Sequence, residues 1–435
     1  MQITPREKKK SIVVCDRSGK VVPGGRLLRA IRDANLSEET LRSLPAQTIY
    51  IACKAFDIAS VGHVLEVITT EQYSTLLDFE LWDGDSVSEE RFWYWLETIN
   101  DLDDGLEHLS RFISSIDLHV LALIIFRFVE CIVVEERTDQ PPGPAYYTPD
   151  QGHTWLRLRL EDPGLVRLLG KLLALLHTTN PGLFYNLVIN PNQMTPLELE
   201  EEAYAIKTRR LSDVGIPDYD IAAKLHAACS AQAIAARKKV PEDLDAPGVQ
   251  PVLPLVYQQG SIEPLDSLFR ELAASGTEEL DGAIEELTLI TNAAIIFYHV
   301  PFYEAEQVSE LIGKVRGSIN IGLQRLCELT DLTVQEVFRE VRLQNAYKVG
   351  LFEIRELQRK ASSIPQAVLD AAIEDQLSVD VVSYAREDFP ELPRCIGPRG
   401  ELVHENGVIL GGKRPFETMS DISLVHELIN SRFSM

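Results

Sequence analysis

The run LHVLALIIFRFVECIVV, residues 118 to 134, is the most apolar in the chain, and its reading sets the fold class. A helix that crosses a bilayer needs about 20 predominantly apolar residues. His119, Arg127 and Glu130 interrupt this run, so it falls short of a span and reads as a buried helix running into a strand. No membrane insertion is expected. Downstream, EERTDQPPGPAYYTPDQG (135 to 152) breaks the pattern, and HTWLRLRLED follows with Leu156, Leu158 and Leu160 alternating with arginines. A period of two marks a half-buried strand, here one arm of a hairpin or small sheet.

Upstream of this run the helical period dominates from about residue 26. VLEVITTEQYSTLL (64 to 77) lies over LSRFISSIDLHVLA (109 to 122) at an offset of 45, which aligns Val64 with Leu109, Val67 with Phe112, Ile68 with Ile113, Tyr73 with Leu118, and Thr69-Thr70 with the helix-capping hydroxyls Ser114-Ser115. Such a repeat suits stacked helix pairs that bury their faces only against a neighbour. LLALLHTTNPGLFYNLV (172 to 188) is a looser third copy. Further helical patterns fall at 263 to 274, 277 to 298, 302 to 329 and 333 to 361, and SDISLVHELINSRF forms a final helix.

These patterns predict a mainly α protein: a basic arm at 1–25 with a possible hairpin, a helical-repeat domain at 26–135, a middle helical region with a β hairpin at 136–237, a proline-rich linker at 238–262, a helical bundle at 263–388, and an irregular tail with a final helix at 389–435. A chain of 435 residues exceeds what one core sustains. Residues 1 to 33 hold nine Lys/Arg against three Asp/Glu, so of the formal charge of -24 the remaining 402 residues carry -24 minus 6, or -30. So acidic a body repels a phosphate backbone, which argues against nucleic acid as a partner. The six cysteines, at 15, 53, 131, 229, 327 and 395, form no Cys-x-x-Cys and suit reduced thiols of the cytoplasm. The basic start lacks the apolar stretch of a secretory signal.

The segment TPLELEEEAYAIKTRRLSDVGIPDY (195 to 219) is the one place to look for a site. Thr195, Pro196 and Glu198 set a capping box, and Gly215 and Pro217 end the helix. On its wheel Leu197, Leu199, Ala203, Tyr204, Ile206, Leu211 and Val214 share one half, and Glu200, Lys207 and Arg210 intrude on it. Charges taken from water need partners. Two readings stand. One is a polar pocket or anion site built on Glu200, Lys207 and Arg210, with Tyr204, Asp218 and Tyr219 near. The other is a structural ion-pair network with snorkelling stems.

Trp82, Trp93 and Trp95 are candidates for a partner surface, with core packing as the competing reading. The Asp83-Gly84-Asp85 start of a calcium loop fails at Val87 and Tyr94, and Ser86 with Glu89 reads instead as the cap of the next helix. Gly407 to Lys413 satisfies the phosphate-loop spacing, but Arg414 and Pro415 stand where a magnesium-binding hydroxyl and a helix start belong. His426-Glu427 lacks the second histidine of a zinc site. His63, His108 and His119 read as satisfied core residues. No catalytic residue, cofactor or metal is assigned.

FELWDGDSVSEERFWYWLETI, ELEEEAYAIKTRRLSDVGIPDY and GSINIGLQRLCEL together resemble an uncharacterised bacterial family known only as a domain of unknown function, over most of the chain from about residue 26. The resemblance implies no activity. In shape, the N-terminal repeats also look like the superhelical domain shared by magnesium-transporter gates and the flagellar switch protein. The expectation is a cytoplasmic protein-interaction or regulatory module; the alternative is an enzyme or small-molecule or anion sensor at Glu200, Lys207 and Arg210.

Overall fold

Helix starts follow directly from their capping residues. Thr69, Ser88, Asp162 and Thr333 each accept a backbone N–H of the first turn through the side chain, which satisfies donors that a helix leaves unpaired. The structure is a computed structural model and describes residues 13–15, 21–23, 29, 31–56, 58–189, 194–236, 262–275, 277–372, 375–397, 401–405, 408–409 and 411–433. The stretch 238–262 expected as a linker lies outside them except for Ile262, as does most of the basic arm. The protein is mainly α: 68% helical, with 19 helices and small two-stranded sheets among the described residues. Among these residues no single helix is long and apolar enough to cross a membrane. The chain divides into two units, one of Ile12–Leu211 and one whose described residues fall within Ser212–Met435.

In the first unit a hairpin of β1 (Val13–Cys15) and β2 (Val21–Pro23) precedes α1 (Glu38–Ser43), α2 (Ala46–Ala55), α3 (Ile58–Val67) and α4 (Thr70–Glu80). A tight hairpin follows, β3 (Trp82–Asp83) and β4 (Ser86–Val87), then α5 (Glu89–Asn100), α6 (Gly105–Ser115) and α7 (Leu118–Phe128). The apolar run runs straight from α7 into β5 (Val129–Val133), which pairs antiparallel with β6 (Thr154–Leu158), Cys131 opposite Leu156. The helix-into-strand reading of 118–134 therefore holds, and so does the strand in HTWLRLRLED. The helices α8 (Pro163–Thr179), α9 (Pro181–Ile189) and α10 (Pro196–Asp213) complete the unit.

Two capping expectations are corrected. Ser114 and Ser115 lie in the last turn of α6, and the cap of α7 is Asp117, whose Oδ1 accepts from His119 N–H at 2.8 Å. Ser86 pairs with Asp83 in the hairpin, so Ser88 caps α5 in its place. In each case the residue nearest the change of direction has the extended backbone that a cap requires. Of the three histidines read as satisfied core residues, only His108 is buried, with Nε2 3.5 Å from Glu66 and Nδ1 without a hydrogen-bond partner among the described residues; His63 and His119 are half-buried, bonding the Ile31 carbonyl and the Asp117 carboxylate.

The second unit holds α11 (Tyr219–Leu225), α12 (Ala231–Ala235), α13 (Leu265–Ser275), α14 (Thr277–Phe297), α15 (Ala305–Thr330) and α16 (Val334–Ser362). Beyond these come α17 (Gln366–Ala371), α18 (Gln376–Ala385), short strands β7 (Glu391–Pro393), β8 (His404–Glu405), β9 (Val408–Ile409) and β10 (Lys413–Pro415), and α19 (Met419–Arg432). Lys413, the last residue of the phosphate-loop spacing, sits in β10 opposite Pro393 and its ammonium is taken by Glu387. Gly407 lies outside the described residues.

The helices α15 and α16 approach as closely as backbones can. A Cβ on Gly322 would stand 1.8 Å from the Ala346 carbonyl oxygen, and one on Gly350 1.7 Å from that of Ser318. Only glycine permits the contact. The long pattern at 333–361 is a single helix in sequence but is broken at Arg342, where φ is 68° and ψ 160°. A break frees backbone donors. Buried Glu286 answers it: its Oε1 accepts from Gln344 N–H at 2.8 Å and its Oε2 lies 3.4 Å from Arg342 Nε.

Near this crossing His226 is 1% exposed and stacks on Phe297 with ring centroids 4.5 Å apart. A carbonyl can only accept, so Nδ1–H donates to the Ala222 oxygen at 2.9 Å, and Nε2 accepts from the Tyr347 hydroxyl at 2.8 Å. That pair of bonds fits neutral imidazole. Burial, with Arg355 adding to it, pushes the imidazole down to about 4.

Candidate functional site

The helix α10 starts as its sequence dictates. Thr195 Oγ1 accepts from Glu198 N–H at 3.3 Å, and Glu198 Oε2 accepts in return from Thr195 N–H at 2.7 Å. At the far end Gly215, with φ of 79°, donates to the Ser212 carbonyl at 2.9 Å, the left-handed exit for which glycine is suited. Leu199, Ala203 and Leu211 are buried, but Leu197 is 65% and Val214 40% exposed. The inward stripe is thus narrower than the apolar half of the wheel. It runs along Glu200, Ala203, Lys207 and Arg210, whose spacing of three and four residues places them on one line of a helix. The three intruding charges lie on the contact face itself.

Each of the three is met by a partner. Arg210 grips Asp78 of α4 with both arms of its fork, Nε to Oδ2 at 2.7 Å and a terminal nitrogen to Oδ1 at 2.8 Å. Its remaining terminal nitrogen stands 3.7 Å from Oδ2 of Asp117, whose other oxygen caps α7. Paired forks of this kind combine charge with directional bonds. Burial pushes the Asp78 carboxyl up, and Arg210 pulls it back.

Lys207 reaches the tip of the β3–β4 hairpin, donating to the Gly84 carbonyl at 3.1 Å. Its ammonium lies 4.4 Å from the Trp82 ring centre and 5.2 Å from that of Tyr204, within the range of cation–π attraction. Burial pushes Lys207 down to about 8 against the pull of Asp78 and Asp85. Glu200 accepts from Val87 N–H at 2.8 Å on the second strand of the same hairpin, with Arg127 3.7 Å from its other oxygen. Tyr204 packs on Trp82, ring centres 5.8 Å apart. The four residues of α10 therefore clamp the hairpin 82–87, α4 and the start of α7. Chemically the arrangement is a clamp: the guanidinium is saturated by carboxylate, and the ammonium is spent on a carbonyl and two rings.

Of the six residues named for a pocket, the first unit holds Glu200, Tyr204, Lys207 and Arg210. Asp218 and Tyr219 belong to the second unit. Asp218 caps α11 by accepting from Ile221 N–H at 2.7 Å, and Tyr219 stacks on Phe297 at 5.9 Å and on His299 at 5.6 Å. The tryptophans proposed for a partner surface are buried: Trp82 is 5%, Trp93 9% and Trp95 1% exposed. Trp93 meets Phe128 edge-on at 5.3 Å, and Trp95 lies 6.5 Å from Tyr73. They are core residues, because rings of this size stabilise most when fully removed from water.

Sequence reasoning missed Asp78, Asp117 and Arg127, the residues that answer the charges of α10. Asp78 carried a signal of the same kind: a carboxylate inside the apolar run LLDFELW (76 to 82), 4% exposed in the structure. Nothing in sequence spacing links it to Arg210, 132 positions away.

Fold and site together define a mainly α protein with small β hairpins, in which a charged helix is locked by partnered ionic groups. The chain belongs to the Family of unknown function (DUF6178), whose model matches residues 17–431. Comparison with curated proteins and with solved structures finds no match.

Proposed function

We propose that this protein is a cytoplasmic interaction or regulatory module whose acidic body takes up a basic, amphipathic segment of another protein. The supporting observation is the distribution of charge, -30 over residues 34 to 435 once the +6 of residues 1 to 33 is set aside. A field of that sign concentrates cationic partners and speeds their encounter. The helices α5, α6 and α7 each expose an apolar side chain that could complement such a segment, with Tyr94 55%, Leu106 56% and Leu118 47% exposed. An enzyme or anion sensor using Glu200, Lys207 and Arg210 is less well supported, since a ligand there would have to displace Asp78 from Arg210.

The test is titration with a synthetic lysine–leucine amphipathic helix and its glutamate–leucine counterpart. The cationic peptide is expected to bind and to lose roughly tenfold in affinity between low and physiological salt. Leu106→Ser together with Leu118→Ser is expected to weaken it further. Equal binding of both peptides, or binding indifferent to those substitutions, would defeat the reading.

A further inference from the structure

We propose that a cleft in the second unit, between α14, the crossing of α15 with α16, and the segment before β7, binds a small organic acid through Arg355, with the apolar body of that acid against Tyr298 and Phe389. The cleft has a volume of about 130 Å³, and Tyr298, Ser318, Arg355, Gln358, Asp388 and Phe389 are among the residues that line it.

The first observation is the state of Arg355. Among the described residues most arginines of the second unit are matched, for example Arg316 with Asp266 at 2.7 Å, Arg325 with Glu353 at 3.4 Å, and Arg414 with Asp421 at 2.7 Å. The side chain of Arg355 is half-buried and makes no ion pair or hydrogen bond with any described residue. Its charge nonetheless acts on the groups behind it, opposing protonation of His226 and favouring ionisation of Tyr298 and Tyr347. A cationic fork open to a concave wall is a carboxylate receptor, because its planar donors match two oxygens at once.

The second observation is the inventory of the other polar groups. Ser318 spends its proton on the Lys314 carbonyl at 2.9 Å, and Gln358 donates to the Glu387 carbonyl at 2.6 Å. The Tyr298 hydroxyl bonds no described residue, which leaves it beside Arg355 as a second donor to an anion. Lys314 is not available: it is held by Glu310 at 2.7 Å and Glu391 at 3.4 Å, with its ammonium 4.4 Å from the Phe389 ring. Asp388 is exposed and also lines the cleft, and its carboxylate makes no ion pair with Arg355, so an acid would have to be held by Arg355 against that charge.

The third observation is the wall. Tyr298 and Phe389 meet edge-on with centroids 4.9 Å apart, and buried Leu351 and Ile354 form the floor. Apolar walls with one or two convergent polar groups are shared with small-molecule sites, and a volume of about 130 Å³, below the usual range of about 300–1,000 Å³, limits the ligand to roughly a single ring. Bare phosphate would use the donors and waste the wall.

Calorimetric titration of the full chain with benzoate, phenylacetate, benzamide, benzylamine and inorganic phosphate tests this. Benzoate or phenylacetate is expected to bind saturably and benzamide and benzylamine not to bind. Arg355→Met is expected to weaken the acid about tenfold or more, the scale of one charge-assisted pair. Arg355→Lys should retain part of the affinity, and Tyr298→Phe should lose a few-fold. Matching far-ultraviolet circular dichroism separates lost binding from lost fold, and Tyr298→Phe, which removes one oxygen, serves if Arg355→Met does not fold. No saturable binding of either acid, or affinity unchanged in Arg355→Met, overturns the proposal. Phosphate binding as tightly as both acids overturns the role of the aromatic wall.

Discussion

The two units hold a helix in place by opposite means. In the first, α10 is fixed by charge: Glu200, Lys207 and Arg210 reach out to a hairpin and two other helices through long side chains. In the second, α15 and α16 are fixed by the absence of side chains, at Gly322 and Gly350, where each backbone meets the other's carbonyl oxygens. The ionic clamp tolerates adjustment, since a long stem rotates. The glycine crossing does not, because the backbone has no rotamers to change. The two should therefore fail differently.

The largest effect is expected at the crossing. Gly350→Ala would put a methyl 1.7 Å from the Ser318 oxygen, and overpacking of this kind costs about 3 kcal/mol or more. In Gly170→Ala, on α8 of the first unit, the added Cβ meets nothing within 4 Å, so that change should stabilise by about 0.5–1 kcal/mol through helix propensity. Urea midpoints of the two variants should move in opposite directions. A stable Gly350→Ala protein would show that the crossing tolerates a side chain and is not held by close backbone contact.

Next in size is Asp78→Ala. It strands Arg210, whose side chain is 29% exposed against 5% for Asp78, and unpairing such a charge costs about 3 kcal/mol. The double change Asp78→Leu with Arg210→Met should recover most of that loss, since apolar replacements of buried ion pairs are often neutral. If the double variant is no better than the single, the clamp does more than balance charge.

Acid should loosen the second unit. His226 titrates near 6.5 in an unfolded chain and at about 4 here, so between those values the unfolded chain takes up a proton that the folded one refuses. Stability is therefore complete above pH 6.5 and declines as pH falls toward 4, by up to about 3 kcal/mol. Thermal melts of wild type and His226→Leu across that window should converge at low pH relative to neutral pH.

The smallest effect lies at Lys207, lowered by burial to about 8. An unfolded lysine keeps its proton to about pH 10.4, so between 8 and 10.4 the unfolded chain holds a proton the folded one has released, and rising pH favours the folded state. Lys207→Met should flatten that slope. An unchanged slope would place the ammonium in solvent, away from Trp82 and Gly84.

What was legible in the sequence was local. The capping box at Thr195 and Glu198, the exit at Gly215, the passage of 118–134 from helix to strand, the pairing-competent Leu156 strand and the helices at 277, 305, 334 and 419 all depend on neighbours within one turn or one strand. Hydrogen bonds of that range are written in the order of residues. The wheel of α10 also announced that three charges needed partners. It did not say which, and it turned the helix slightly wrong, so that Leu197 and Val214 emerged into solvent.

The remainder was decided in three dimensions. Asp78 and Arg210 are 132 residues apart, and the break at Arg342 has no proline or glycine beside it to announce it, only Glu286 on another helix. For the tryptophans the size of the rings favoured a core over a partner surface, and packing buried them. Local propensity fixes where a helix begins and ends. Which face turns inward, and which distant residue meets it, follows from the summed burial of apolar area and the need to neutralise every charge taken from water, a balance that exists only once the whole chain has folded.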